Sequence, residues 1–106
     1  MKDYQYHWKL VDKEPVPTTM EEWSDILTSG KHSLWLELVE GVEVSTIFLG
    51  INIRLVVNKD GIPKGMFETM VFGGAMDKEQ WRWDTYKEAE EGHKSVCELV
   101  RKEKEK

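Results

Sequence analysis

Apolar and polar positions alternate at the start of the chain. Tyr4, Tyr6, Trp8 and Leu10 are separated by Gln5, His7 and Lys9, a period of two that predicts a strand from Tyr4 to Val11. Pro15 and Pro17 should break it and open a loop. The spacing then becomes helical. Met20, Trp23, Ile26 and Leu27 fall on one face. Thr19 precedes them as an N-cap with Glu22 three residues on, and Gly30 is the expected stop after Ser29. Leu34, Leu36 and Leu38 alternate with Trp35, Glu37 and Val39. A turn at Glu40-Gly41 then leads into a returning strand from Val42 to Gly50. Ile51 to Val57 either extends that strand past a bend at Gly50 or forms a short strand of its own, and Asn58 to Pro63 is a turn cluster.

Two further runs, Phe67 to Gly74 and Gln80 to Asp84, read as a hairpin around a loop that begins Gly73-Gly74. The longest helix follows. Thr85 and Glu88 make a second capping box, and Tyr86, Ala89, His93, Val96 and Val100 form its apolar stripe. The charged tail from Arg101 to Lys106 is expected to fray. The order of elements predicts an α+β fold: an antiparallel sheet of about five strands packed by the long C-terminal helix, with a shorter helix near residues 20–29. No repeat or linker divides the 106 residues, so residues 1–106 are read as a single domain.

Composition narrows the classes. A net charge of −5 disfavours nucleic acid as a partner, because phosphate contacts need clustered Lys and Arg. The same charge suits an acidic protein that covers a basic surface. The lone Cys97 excludes an intramolecular disulfide and, with a polar N-terminus, points to the cytoplasm. No apolar run reaches the ~20 residues of a membrane span.

The central hairpin holds the densest chemistry. Glu68 and Arg82 should face each other across it as an ion pair; alternatively, Arg82 meets an anionic ligand and Glu68 orients it. Trp81 and Trp83 share the other face, either as core or as a platform for a nucleobase. Five tryptophans exceed what a core of this size needs, so one is expected in a groove or an oligomer interface. Gly92-His93 lies mid-helix, where glycine costs about 1 kcal/mol relative to alanine; it either permits close helix–sheet packing or clears space for a ligand to which His93 donates. His7, His32 and His93 lack metal-ligand spacing, Cys97 lacks a partner cysteine, and no metal or other cofactor is expected. The glycines match no phosphate loop, and no nucleophile–base arrangement or carboxylate pair is legible.

The blocks Val44-Ser45-Thr46-Ile47-Phe48-Leu49-Gly50, Phe67 to Gly74, Gln80-Trp81-Arg82-Trp83, Glu88-Ala89 and Gly92-His93 together resemble a family of small uncharacterised proteins of bacteriophages and prophages. The resemblance runs from about Pro15 to Val100. Arg54-Leu55-Val56-Val57 departs from the polar, glycine-rich loop found there in the family. The resemblance implies a phage setting in the host cytoplasm. Three functions compete within it. The first is a non-enzymatic, homo-oligomeric counter-defence protein that sequesters a nucleotide-like immune signal, with Glu68, Trp81, Arg82 and Trp83 as ligand contacts and Arg54 and His93 behind them. The second is an acidic inhibitor that binds a host or phage protein. The third is a small nucleotide-cleaving enzyme using His93 or Glu68 as acid or base.

Overall fold

The computed structural model describes residues 5–52 and 56–105. The chain has the expected architecture, an antiparallel sheet packed by a long C-terminal helix with a shorter helix before it. Among the described residues the strands number six and divide between two sheets. β1 (Trp8–Val11) pairs with β2 (Glu14–Pro17), while β3 (Ser33–Val39), β4 (Val42–Phe48), β5 (Phe67–Phe72) and β6 (Gln80–Trp83) form one sheet in sequence order. The helices are α1 (Met20–Ser29) and α2 (Tyr86–Lys104).

The first sheet corrects one expectation. Pro15 and Pro17 lie within strand β2 and open no loop. A proline lacks an N–H but can stand in a two-stranded edge, where one side of each strand needs no partner. The reversal falls at Asp12 and Lys13, both with positive φ (50° and 71°), the backbone of a two-residue hairpin turn. Neither residue is the glycine that usually marks such a turn, so the pattern gave no sign of it. Glu40 and Gly41, at φ 50° and 85°, make the same kind of turn between β3 and β4, as expected. The returning strand stops at Phe48. Beyond it Ile51 bridges to His7 and Val57 to Pro63, while 53–55 lie outside the described residues.

Gly50 joins the N-terminal hairpin to the rest. Its φ is +67°, and a Cβ there would lie 2.6 Å from the carbonyl oxygen of Trp8 and 3.0 Å from the Trp23 ring. That close approach lets Trp8 N donate to Gly50 O (2.7 Å) and Trp23 Nε1 donate to Leu49 O (2.9 Å). One glycine thus ties both β1 and α1 to the end of β4.

Both N-cap threonines read from the sequence sit at helix starts, but the full capping box forms only at α2, since the Glu22 carboxylate bonds Thr18 and Lys9 instead. Thr19 Oγ1 accepts from Glu22 N, and at α2 the bonding is reciprocal between Thr85 and Glu88. Helix α2 lies across one face of the four-stranded sheet. The inward positions of β4 and β5 are Val42, Val44, Thr46, Phe48, Phe67, Thr69 and Val71, and all are buried. From the helix come Ala89, Gly92, His93, Val96, Cys97 and Val100. The apolar residues form two clusters, one around Val44, Val71 and Val96 and the other around Phe48, Phe67 and Ala89. Trp83 packs against both. Among the described residues no helix is long and apolar enough to cross a membrane.

Gly92 is where α2 meets Trp83. A Cβ on Gly92 would lie 2.3–2.6 Å from three carbons of the indole, so only glycine lets the helix settle there. Gly92→Ala gains about 1 kcal/mol of helix propensity, yet overpacking costs about 1–3 kcal/mol and displaces an indole that anchors a hydrogen bond. The expected outcome is a melting temperature lower by about 5–10 °C. A scanning calorimetry trace in which Gly92→Ala melts higher than the parent would show that the indole does not occupy this contact.

Candidate functional site

Alternation along β4 and β5 puts two threonines, Thr46 and Thr69, at fully buried inward positions facing α2. A buried hydroxyl needs a partner, and the inner face supplies a complete chain of them. Trp83 Nε1 donates to Thr69 Oγ1 (2.9 Å). Thr69 and Thr46 hydroxyls lie 2.6 Å apart, and Thr46 Oγ1 lies 2.7 Å from His93 Nδ1. His93 Nε2 lies 2.8 Å from Glu37 Oε1, on the edge strand β3.

Trp83 fixes the direction of this chain, because an indole nitrogen can only donate. Thr69 therefore accepts from Trp83 and gives its own hydrogen to Thr46. Thr46 gives its hydrogen to His93 Nδ1, and the imidazole carries its proton on Nε2 for Glu37. Every polar hydrogen then has an acceptor. In the reverse direction Thr69 would accept from both Trp83 and Thr46, and its own hydrogen would have no acceptor in the chain. Among the described residues, His32 Nδ1 is the buried side-chain polar atom left without a partner, and it lies outside this chain.

Hydroxyl, imidazole and carboxylate in that order look like a hydrolytic triad. Burial argues otherwise. Thr46 is 0% exposed and His93 2%, so no substrate carbonyl can reach the hydroxyl, and the outer end of the chain is a half-exposed carboxylate. One turn along α2 from His93, Cys97 lies beside the same carboxylate. Burial, followed by the negative charge of Glu37, pushes its thiol up to about 11, which keeps it protonated and unreactive at neutral pH.

The sheet separates the residues singled out from the sequence. Register sets Glu68 directly opposite Arg82, and Arg82 Nε donates to Glu68 Oε2 at 2.8 Å while Nη1 donates to Gly65 O at 3.2 Å. This pair lies on the face away from the helix. Trp81 and Trp83 pack into the core on the helix side, and His93 is buried there too. Trp83 cannot offer a stacking platform while its ring rests on Gly92. Arg54 lies outside the described residues. The expectation of a spare tryptophan also changes. The large apolar side chains left exposed on the sheet are Leu36, Leu38 and Phe72, while Trp8, Trp23, Trp35, Trp81 and Trp83 are buried or half-buried.

Besides a groove of about 290 Å³ along α1 at Glu22, Asp25 and Lys31, two more are formed by the described residues. One, of about 570 Å³, runs between the β1–β2 turn and the start of α2. Its walls carry Glu14, Asp60, Asp84 and Glu90 against Lys13 and Lys87, a balance that repels phosphate. The other, of about 180 Å³, lies between the 73–76 loop and the last turns of α2. Neither is lined by Glu68, Trp81, Arg82, Trp83 or His93.

Glu37, Thr46, Thr69 and Cys97 were missed as a group. Two signals pointed to them: threonines at core positions of alternating strands, and His93 and Cys97 four apart on the buried stripe. Compared with protein-family models, with curated proteins and with solved structures, the chain matches none.

The chain of bonds predicts unequal costs in its buried middle and at its half-exposed end. Thr46→Val keeps the shape but strands His93 Nδ1 and the Thr69 hydroxyl, and should destabilise by about 2–4 kcal/mol in urea unfolding. Glu37→Gln still offers an oxygen to Nε2–H at a half-exposed position and should cost less than about 1 kcal/mol. Equal losses for the two variants would contradict a chain whose middle is buried and fully bonded and whose end is open to solvent.

Proposed function

We propose that this chain is a non-enzymatic binding protein that works through the open face of its four-stranded sheet, and that the surface it meets there is a second copy of itself. One observation carries this reading. None of the residues on the face away from α2 is buried, and Leu36, Leu38 and Phe72 are 60%, 76% and 42% exposed. The register arranges that face as a grid. Leu38, Glu43 and Phe72 lie in one row, Leu36, Ser45, Met70 and Gln80 in the next, and Ile47, Glu68 and Arg82 in the third. The two charges of the last row neutralise each other, leaving Glu43 as the only unbalanced charge in the grid.

Strand spacing and rise give the face an area of about 400 Å². A pair of such faces buries less than the ~1,200–2,000 Å² of a standard stable interface, so the dimer should be weak. A phage accessory protein is the setting that the sequence resemblance supplies. Capture of a nucleotide-like signal is a second reading, and it rests on Arg82. That guanidinium sits at a corner of the open face with its side chain 24% exposed, where a phosphate at the subunit boundary could compete with Glu68 for it.

Sedimentation from about 10 μM to 500 μM should show a monomer–dimer equilibrium. Leu38→Glu should shift it to monomer without lowering the melting temperature. A strict monomer throughout that range would refute self-pairing. Calorimetry with cyclic dinucleotides on the same samples separates the second reading: binding that Arg82→Ala weakens at least tenfold supports it, and no binding below about millimolar rejects it.

A further inference from the structure

The outer end of the bonded chain, Glu37 and His93, lies beside Cys97, which neither the chain nor the sheet-face reading uses. We propose that Glu37, His93 and Cys97 form a binding site for one Zn²⁺ ion. A residue and its fourth neighbour on a helix share a face, so α2 presents His93 and Cys97 together, and β3 brings Glu37 against them from the sheet edge. A ring nitrogen, the thiol sulfur and a carboxylate oxygen all lie within 4.8 Å of one another.

Ligands about 2.0–2.3 Å from a tetrahedral ion stand about 3.2–3.8 Å apart. The thiol must therefore move inward by up to about 1 Å, and the Glu37–His93 contact must open by about half an ångström. The unbranched, half-exposed Glu37 side chain can supply the opening, and rotation about the Cα–Cβ bond of Cys97 the movement of the thiol. Nitrogen, sulfur and oxygen together select zinc over magnesium or calcium, which take oxygen alone. His93 and Cys97 are 2% and 5% exposed in an apolar wall that includes Val39, Val44 and Val96, so two ligands are shielded from solvent and the ion enters past Glu37. Three protein ligands leave one position for water.

The protons balance. Zn²⁺ replaces the thiol hydrogen, which leaves as one H⁺, and the imidazole keeps one proton but moves it from Nε2 to Nδ1. Thr46 then accepts from Nδ1–H and donates to Thr69, which still accepts from Trp83. The Thr69 hydroxyl loses its acceptor, a cost of one buried hydrogen bond, small beside the binding free energy of a zinc–thiolate site. Thiolate and carboxylate together neutralise the ion. Thr46 serves as the hydrogen-bonded support that a zinc-bound histidine usually has.

The test titrates the chelator-stripped full chain with Co²⁺ and then with Zn²⁺ against a chromophoric chelator. Cys97 is the only cysteine, so a thiolate-to-cobalt band can arise from no other residue. The expected result is that band at one ion per chain, displaced by Zn²⁺ with a Kd of about 1 μM or tighter. Glu37→Gln should weaken Zn²⁺ binding at least tenfold while the metal-free variant keeps its melting temperature. No thiolate band at stoichiometric cobalt would overturn the site. So would one ion per two chains, or undiminished Zn²⁺ affinity in Glu37→Gln.

Discussion

Trp83 packs against both apolar clusters, rests its ring on the bare backbone of Gly92, and donates its N–H to Thr69. Those three contacts set how far α2 stands from the sheet and in what rotational setting. Once the helix is seated there, His93 comes within reach of Thr46 on one side and Glu37 on the other. The donor-only nature of the indole then runs through two hydroxyls to choose the histidine tautomer. A polar chain in the middle of a small core costs stability wherever a link is unsatisfied. Here each link is met, and the chain pins the helix to strands β3, β4, β5 and β6.

The consequence for function is a molecule with two unlike faces. The helix side is closed, with its chemistry held inward. The other side is open and half apolar, and the Arg82 guanidinium there is paired with a carboxylate. Side chains expected to share a ligand are thereby divided by the thickness of the sheet.

Much of the architecture was legible in the sequence because it rests on local rules. N-caps at Thr19 and Thr85, the Glu40-Gly41 turn and the alternation through β4 and β5 each identify an element without its neighbours. The Glu68–Arg82 pairing followed from counting along one hairpin. The N-terminal hairpin was hidden because its turn uses Asp12 and Lys13, residues that carry no turn signature, and because two prolines stand in its edge strand. The role of Trp83 was not legible for a different reason. Whether a tryptophan on an edge strand faces a ligand or a helix depends on a glycine nine residues away, and periodicity does not report that contact. Glu37 was hidden by distance: its partner His93 lies 56 positions along the chain.

The central claim is that the Trp83 indole orients this chain and so places the His93 proton on Nε2. Long-range ¹H–¹⁵N correlation of the imidazole in the metal-free protein at neutral pH tests it most directly. The account predicts a neutral ring with an unprotonated, acceptor-type Nδ1 and a protonated Nε2 whose hydrogen exchanges slowly. A ring protonated on Nδ1, whether alone or with Nε2, would contradict it, since Thr46 would then have to pass its hydrogen to Thr69, whose own hydrogen would have no acceptor in the chain.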